Sequence, residues 1–146
     1  MSDLYKIILT SGLTIFGGVF VYTFGQIISK FFIEPIHDQS RCIGEISDSL
    51  IFYANLYHNP GTGKFDDMEK ASIVLRQQAS LLIAKTNIIR WYSFFEFLML
   101  VLKRSSVIEA SKILIGLSNS IHKGVPSDNV DSRKKIEKLL NIITPD

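Results

Sequence analysis

The sequence predicts an all-α protein in which one N-terminal transmembrane helix, kinked at Pro35, continues into a small helical bundle of about five helices. Three observations predict it. Ile7 to Ser29 is a run of twenty-three residues without a charge, bracketed by Lys6 and Lys30. Beyond it, apolar residues recur at three- and four-residue spacing in window after window, the mark of amphipathic helices. No segment alternates convincingly as a half-buried strand does.

The charge-free run would measure roughly 35 Å as a helix, enough to cross a bilayer core of about 30 Å. A core helix of a soluble protein is rarely this long and this free of charge. A cleaved signal peptide fits less well: the head MSDLYK is barely basic, the apolar run is too long and no small-x-small cleavage pattern follows. The chain therefore divides into a short tail (1–6), a transmembrane helix (7–29) and a bundle (30–146). Lys6, beside Asp3, precedes the membrane helix, whereas Lys30, Arg41 and the remaining basic residues follow it. The positive-inside bias then places the N-terminus outside and the C-terminal domain in the cytoplasm, as for a single-pass protein of a bacterial inner membrane.

Within the membrane helix Ser11, Gly18 and Gly25 recur every seven residues, and Thr14–Gly18 and Gly25–Ser29 are small-xxx-small pairs. At 3.6 residues per turn the five fall within about 60° of arc. Small residues on one face let helix backbones approach closely in lipid, so the stripe predicts a homo-oligomer. Glycine is also common in membrane helices generally.

Pro35, in Phe-Ile-Glu-Pro-Ile, lacks an amide donor and marks a hinge. Ile36, Ile43, Ile46, Leu50, Tyr53, Ala54 and Tyr57 then stripe a helix of about twenty residues, with Asp38, Arg41, Glu45 and Asp48 on its solvated side. The stretch from His58 to Lys64, with one proline and two glycines, is a loop. Its Gly-Thr-Gly-Lys is not a nucleotide loop: His58 stands where the first glycine is needed, and Phe65 where a Ser or Thr is needed. Asp66-x-x-Glu69 resembles a capping box opening a helix to about Lys85, with Met68, Ala71, Leu75, Gln78 or Ala79, and Leu82 inside.

Trp91 to Leu102 carries one charge, Glu96. It is too short to span a bilayer as a helix. It reads either as a core helix buried all round, or as a segment on the membrane interface through Trp91 and Tyr92. Ser106-x-x-Glu109 resembles a second capping box, ahead of a stripe of Val107, Ala110, Ile113, Leu114, Leu117 and Ile121. Gly124-Val-Pro126 closes that helix. A last helix, from about Ser127 to Ile143, places Val130, Ile136, Leu139, Leu140 and Ile143 inside and a basic face of Arg133, Lys134, Lys135 and Lys138 outside. That face suits water, and secondarily anionic lipid or nucleic acid.

The sequence carries no catalytic signature. Its single cysteine, Cys42, excludes an intrachain disulfide, and its three histidines, His37, His58 and His122, lack metal-ligand spacing. Glu34-x-x-His37 is one motif where a di-iron bundle needs two. A formal charge of +2 implies no strong attraction to nucleic acid. No catalytic, cofactor or metal residue is assigned. Asn55 and Asn119 lie beside apolar stripes and read as buried polar residues that fix helix register.

Two blocks resemble a family of uncharacterised bacterial single-pass, membrane-anchored helical proteins. One runs from Lys30 to Ile46 and on through Leu50–Tyr57; the other is Leu114–Gly124. The resemblance implies the anchored architecture and no activity. A looser, architectural resemblance is to HEPN-like membrane proteins that accompany RNA-targeting CRISPR systems and assemble as a membrane ring. HEPN ribonucleases carry an arginine four to six residues before a histidine, and no histidine here has one. The expectation is a self-associating membrane protein, a ring or pore that alters membrane integrity in antiviral defence, and not an enzyme. The alternatives are a membrane-tethered adaptor for a protein partner and a nucleic-acid-processing helical domain. The bilayer and further copies of the chain are the expected partners; nucleic acid is not.

Overall fold

The charge-free run folds as helix α1 (Asp3–Ile28) in the computed structural model, which describes residues 3–143. No strand occurs among those residues. A five-residue π-helical turn, Ser29–Ile33, follows, and then α2 (Glu34–Phe52), α3 (Ala54–His58), α4 (Phe65–Ile88), α5 (Tyr92–Phe97), α6 (Arg104–Ser120) and α7 (Pro126–Leu140). Helix begins at Asp3, so the described part of the expected tail is already helical, while Met1 and Ser2 lie outside the described residues.

The chain divides into two units, the first ending at Glu34 and the second starting at Pro35. Helical structure nevertheless runs unbroken from Asp3 to Phe52. The wide turn explains why Pro35 does not end it. Proline offers no N–H and its ring crowds the carbonyl four residues back. The Ser29–Ile33 turn loosens the ladder there, with the Glu34 N–H donating five residues back to the Ser29 carbonyl.

In the first unit, α1 has no buried residue. It is long and apolar enough to cross a membrane. The Thr10 and Thr14 hydroxyls donate to the carbonyls of Lys6 (2.7 Å) and Thr10 (2.9 Å), so neither needs a polar partner outside its own helix.

In the second unit, α6 packs against both α4 and α7, and α3 against α7. The α4 stripe is buried as its spacing predicts: Met68, Ala71, Leu75, Gln78, Ala79 and Leu82. So is most of the α6 stripe, with Val107, Ala110, Leu114, Leu117 and Ile121. Ile46, Leu50, Tyr57, Ile136 and Leu140 complete the core.

Several elements depart from the sequence-based expectation. The second helix breaks at Tyr53, and the Tyr57 hydroxyl, on the short α3, closes the break by donating to the Leu50 carbonyl at 2.5 Å. Neither capping box forms. Lys64 and Lys103 stand at the N-caps without side-chain bonds; Asp66 and Asp67 lie inside the first turn of α4, where their charge complements the helix dipole, and Ser106 lies inside α6. Helix α7 starts on Pro126, whose missing N–H is harmless in a first turn. It stops at Asn141, which adopts a left-handed conformation (φ 53°), and this leaves Ile143 beyond the helix and exposed rather than inside. In the loop after α3, Gly61 has φ +74° and its N–H donates to the Ile121 carbonyl at 3.0 Å. A Cβ there would meet the His122 carbonyl at 3.0 Å, so both backbone angle and space call for glycine.

Candidate functional site

Three surfaces carry the residues that the sequence singles out. The first is the small-residue face of α1. Ser11, Thr14, Gly18 and Gly25 are exposed, and Ser29 is half-buried at the start of the π turn. A Cβ added at Gly12, Gly17, Gly18 or Gly25 would meet nothing within 4 Å. None has a positive φ. Nothing among the described residues therefore asks for glycine at these positions, although glycine weakens a helix by about 1 kcal/mol relative to alanine.

The second surface is the turn around α5. The expected core helix over 91–102 does not form: α5 spans six residues, and left-handed backbone brackets it at Trp91 (φ 54°) and Met99 (φ 58°). Bulky residues rarely adopt that region. The turn splits the two aromatic residues expected at an interface. Trp91 points outward, 72% exposed, whereas Tyr92 is buried, which corrects the expectation that both face the membrane. The Tyr92 hydroxyl donates to the Leu102 carbonyl at 2.7 Å and accepts from Gln39 Nε2 at 3.2 Å. Gln39 Nε2 also donates to the Thr86 hydroxyl at 2.8 Å. One buried amide thus ties α2, α4 and α5 together. Around this post Phe94, Phe97, Leu98, Met99 and Leu100 are exposed.

The third surface is a polar groove of about 610 Å³ between α4 and α6, lined by Glu69, Ser72, Arg76, Asn119 and His122 among others. Asn119 is exposed, not buried, and accepts a hydrogen bond from Arg76. His122 Nε2 lies 3.5 Å from Glu69 Oε2. The Arg76 guanidinium and the His122 imidazole are thus already met by acceptors of the same chain. Asn55 is exposed too.

The buried asparagine is Asn129, on α7. Its Nδ2 donates to the Tyr57 carbonyl at 2.8 Å, and its Oδ1 accepts from the Ser120 hydroxyl at 2.5 Å. The spacing Asn129, Arg133, Ile136, Leu140 carries that signal, since all four follow one helical stripe. The same stripe corrects the basic face. Arg133 turns inward, its Nε 2.6 Å from Glu137 Oε1, with both side chains largely buried. Lys134, Lys135 and Lys138 stay exposed, and the last two line a shallow groove of about 350 Å³ with Glu109. Burial and the nearby Arg133 guanidinium hold the His58 imidazole below its usual pKa.

Cys42 is buried against α4, and burial pushes its thiol up to about 11. A thiol that is neither ionised nor reachable does not react. Among the described residues no three His, Cys, Asp or Glu side chains are grouped to hold a metal ion. No family model, curated protein or solved structure matches the chain.

Proposed function

We propose that this protein is a single-pass membrane protein that self-associates through the face of α1 bearing Ser11, Thr14, Gly18, Gly25 and Ser29. The observation that carries the reading is the pairing of full exposure with unexplained glycines. Helix α1 presents every large apolar side chain outward, and its glycines answer to no contact within the chain. Lipid suits the large side chains. A second copy of the helix suits the small ones, because close backbone approach is what small residues offer in a bilayer. The Lys30 and Arg41 side of the span faces the cytoplasm by the positive-inside bias, with Pro35 as the hinge to the helical unit. Several membrane helices joined along one face make a ring or pore, and perturbing the membrane is the action this assembly would perform.

Light scattering of the intact protein in mild detergent, with the detergent mass subtracted, tests the reading. The expected result is a defined multiple of the 16.5 kDa chain mass. A mass of one chain removes the assembly and leaves an anchor carrying a binding domain.

A further inference from the structure

We infer that the turn around α5 is a second membrane contact, docking Trp91, Phe94, Phe97, Leu98 and Met99 into the headgroup region of the bilayer that holds α1. The contact goes beyond the proposed assembly and depends only on its membrane anchor. Phe97 is 81% exposed and Met99 91% exposed. The backbone holds Trp91 and Met99 in left-handed conformations, and no burial of their side chains within the protein results. Backbone held in a rare conformation is characteristic of functional surfaces. The buried Gln39–Tyr92–Leu102 hydrogen bonds fix the turn from behind, so its apolar side chains project from a rigid post.

Two further facts choose the bilayer as the occupant. The first is charge. From Ile88 to Arg104 the chain carries Arg90, Lys103 and Arg104 against Glu96 alone, and Glu96 accepts from the Arg104 backbone N–H. Apolar side chains flanked by basic ones match an anionic lipid surface. The second is the tether. Gln39, which grips the turn, lies nine residues beyond Lys30, where the charge-free span ends. That length of chain covers about 14 Å as a helix and roughly 30 Å fully extended, whichever way the two units are disposed. The turn is thus within reach of the headgroups, and Trp at such a depth is favoured for its amphipathic ring.

Trp91 is the only tryptophan, so its emission reads the contact directly. The full-length chain is reconstituted in phosphatidylcholine–phosphatidylglycerol vesicles, floated, and compared in plain and brominated lipids and with aqueous iodide. Docking predicts blue-shifted emission, loss of emission in brominated lipid and protection from iodide. It also predicts that Phe97→Glu with Met99→Glu, at positions too exposed to unsettle the core, restores iodide access and abolishes the lipid quenching. Protein that floats with Trp91 open to iodide overturns the docking while leaving the anchor intact. Protection from iodide without lipid quenching overturns it in favour of a protein contact, a second copy included. Protein that fails to float overturns anchor and docking together. Lipid quenching that survives the double substitution overturns the assignment to this turn.

Discussion

Asn129→Ala is expected to destabilise the helical unit by about 2–4 kcal/mol, because it removes two hydrogen bonds and strands the buried Tyr57 carbonyl. Asn129 is 2% exposed and joins three elements: its own α7, the Tyr57 carbonyl on α3 and the Ser120 hydroxyl at the end of α6. Alanine leaves the Tyr57 carbonyl without that donor, whereas the Ser120 hydroxyl still reaches the Leu117 carbonyl. Gly124 packs into the same knot. A Cβ there would lie 2.5 Å from the Ser120 carbonyl oxygen and 3.1 Å from Asn129 Nδ2. A small domain has a total stability of only about 5–15 kcal/mol, so the loss is a large fraction of the whole. Thermal unfolding followed by far-UV circular dichroism should show the midpoint falling by at least about 8 °C, at roughly 4–8 °C per kcal/mol for a unit of this size. A midpoint within a degree or two of the parent would mean that the knot is decorative.

Gly18→Leu combined with Gly25→Leu is the other change with a large expected effect. The two positions lie on one face of α1, and a side chain at either meets open space within the monomer. The folded chain therefore has no steric reason to resist the change, and leucine is the better helix former by roughly 0.8 kcal/mol per site. Across a helix–helix contact two leucines hold the backbones apart and remove the close packing on which association in lipid depends. The double variant should remain folded and inserted, yet its detergent-subtracted mass should fall to that of one chain. An unchanged oligomer would place the contact on another face. The same pair on the opposite side of the helix, Phe16→Leu with Phe20→Leu, should leave the mass alone.

Much of this fold is written in the periodicity. Helix α4 has one apolar side, and Met68, Ala71, Leu75, Ala79 and Leu82 fall where the spacing puts them. The stretch from Trp91 to Leu102 resisted such a reading for a physical reason. Its composition is that of a core helix, but left-handed Trp91 and Met99 break it, and neither residue is a glycine or a proline that would flag a turn. Helix starts were also obscured. Asp66 and Ser106 are good cap residues, yet Lys64 and Lys103 occupy the caps: the acidic Asp66 and Asp67 favour the start of α4, and at the start of α6 it is Glu96, from α5, that accepts the Arg104 N–H.

Polar burial was legible only where the polar residue shares a stripe with apolar ones. Gln39 follows the spacing of Cys42, Ile46 and Leu50 and is buried with them. Asn129 follows that of Ile136 and Leu140. Asn55 sits next to the half-buried Ala54 and Asn119 next to the buried Ser118, and one step around a helix is about 100°, enough to turn a side chain into water. Helix α1 is the reverse case. Its face of small residues is plain in the sequence, and among the described residues a Cβ at Gly18 or Gly25 meets nothing within 4 Å.

If copies of α1 meet along that face, oxidative cross-linking in native membranes will trap them there. Cys42 is buried and its thiol is held at about 11, so it provides a silent background. Single cysteines are placed in turn at Ser11, Thr14, Gly18 and Gly25, and at Phe16 and Phe20 on the other side. Disulfide-linked dimers are expected at the first four positions, recurring with the helical period, and none at the last two. Equal cross-linking at every position, or none at Gly18 and Gly25, would contradict it.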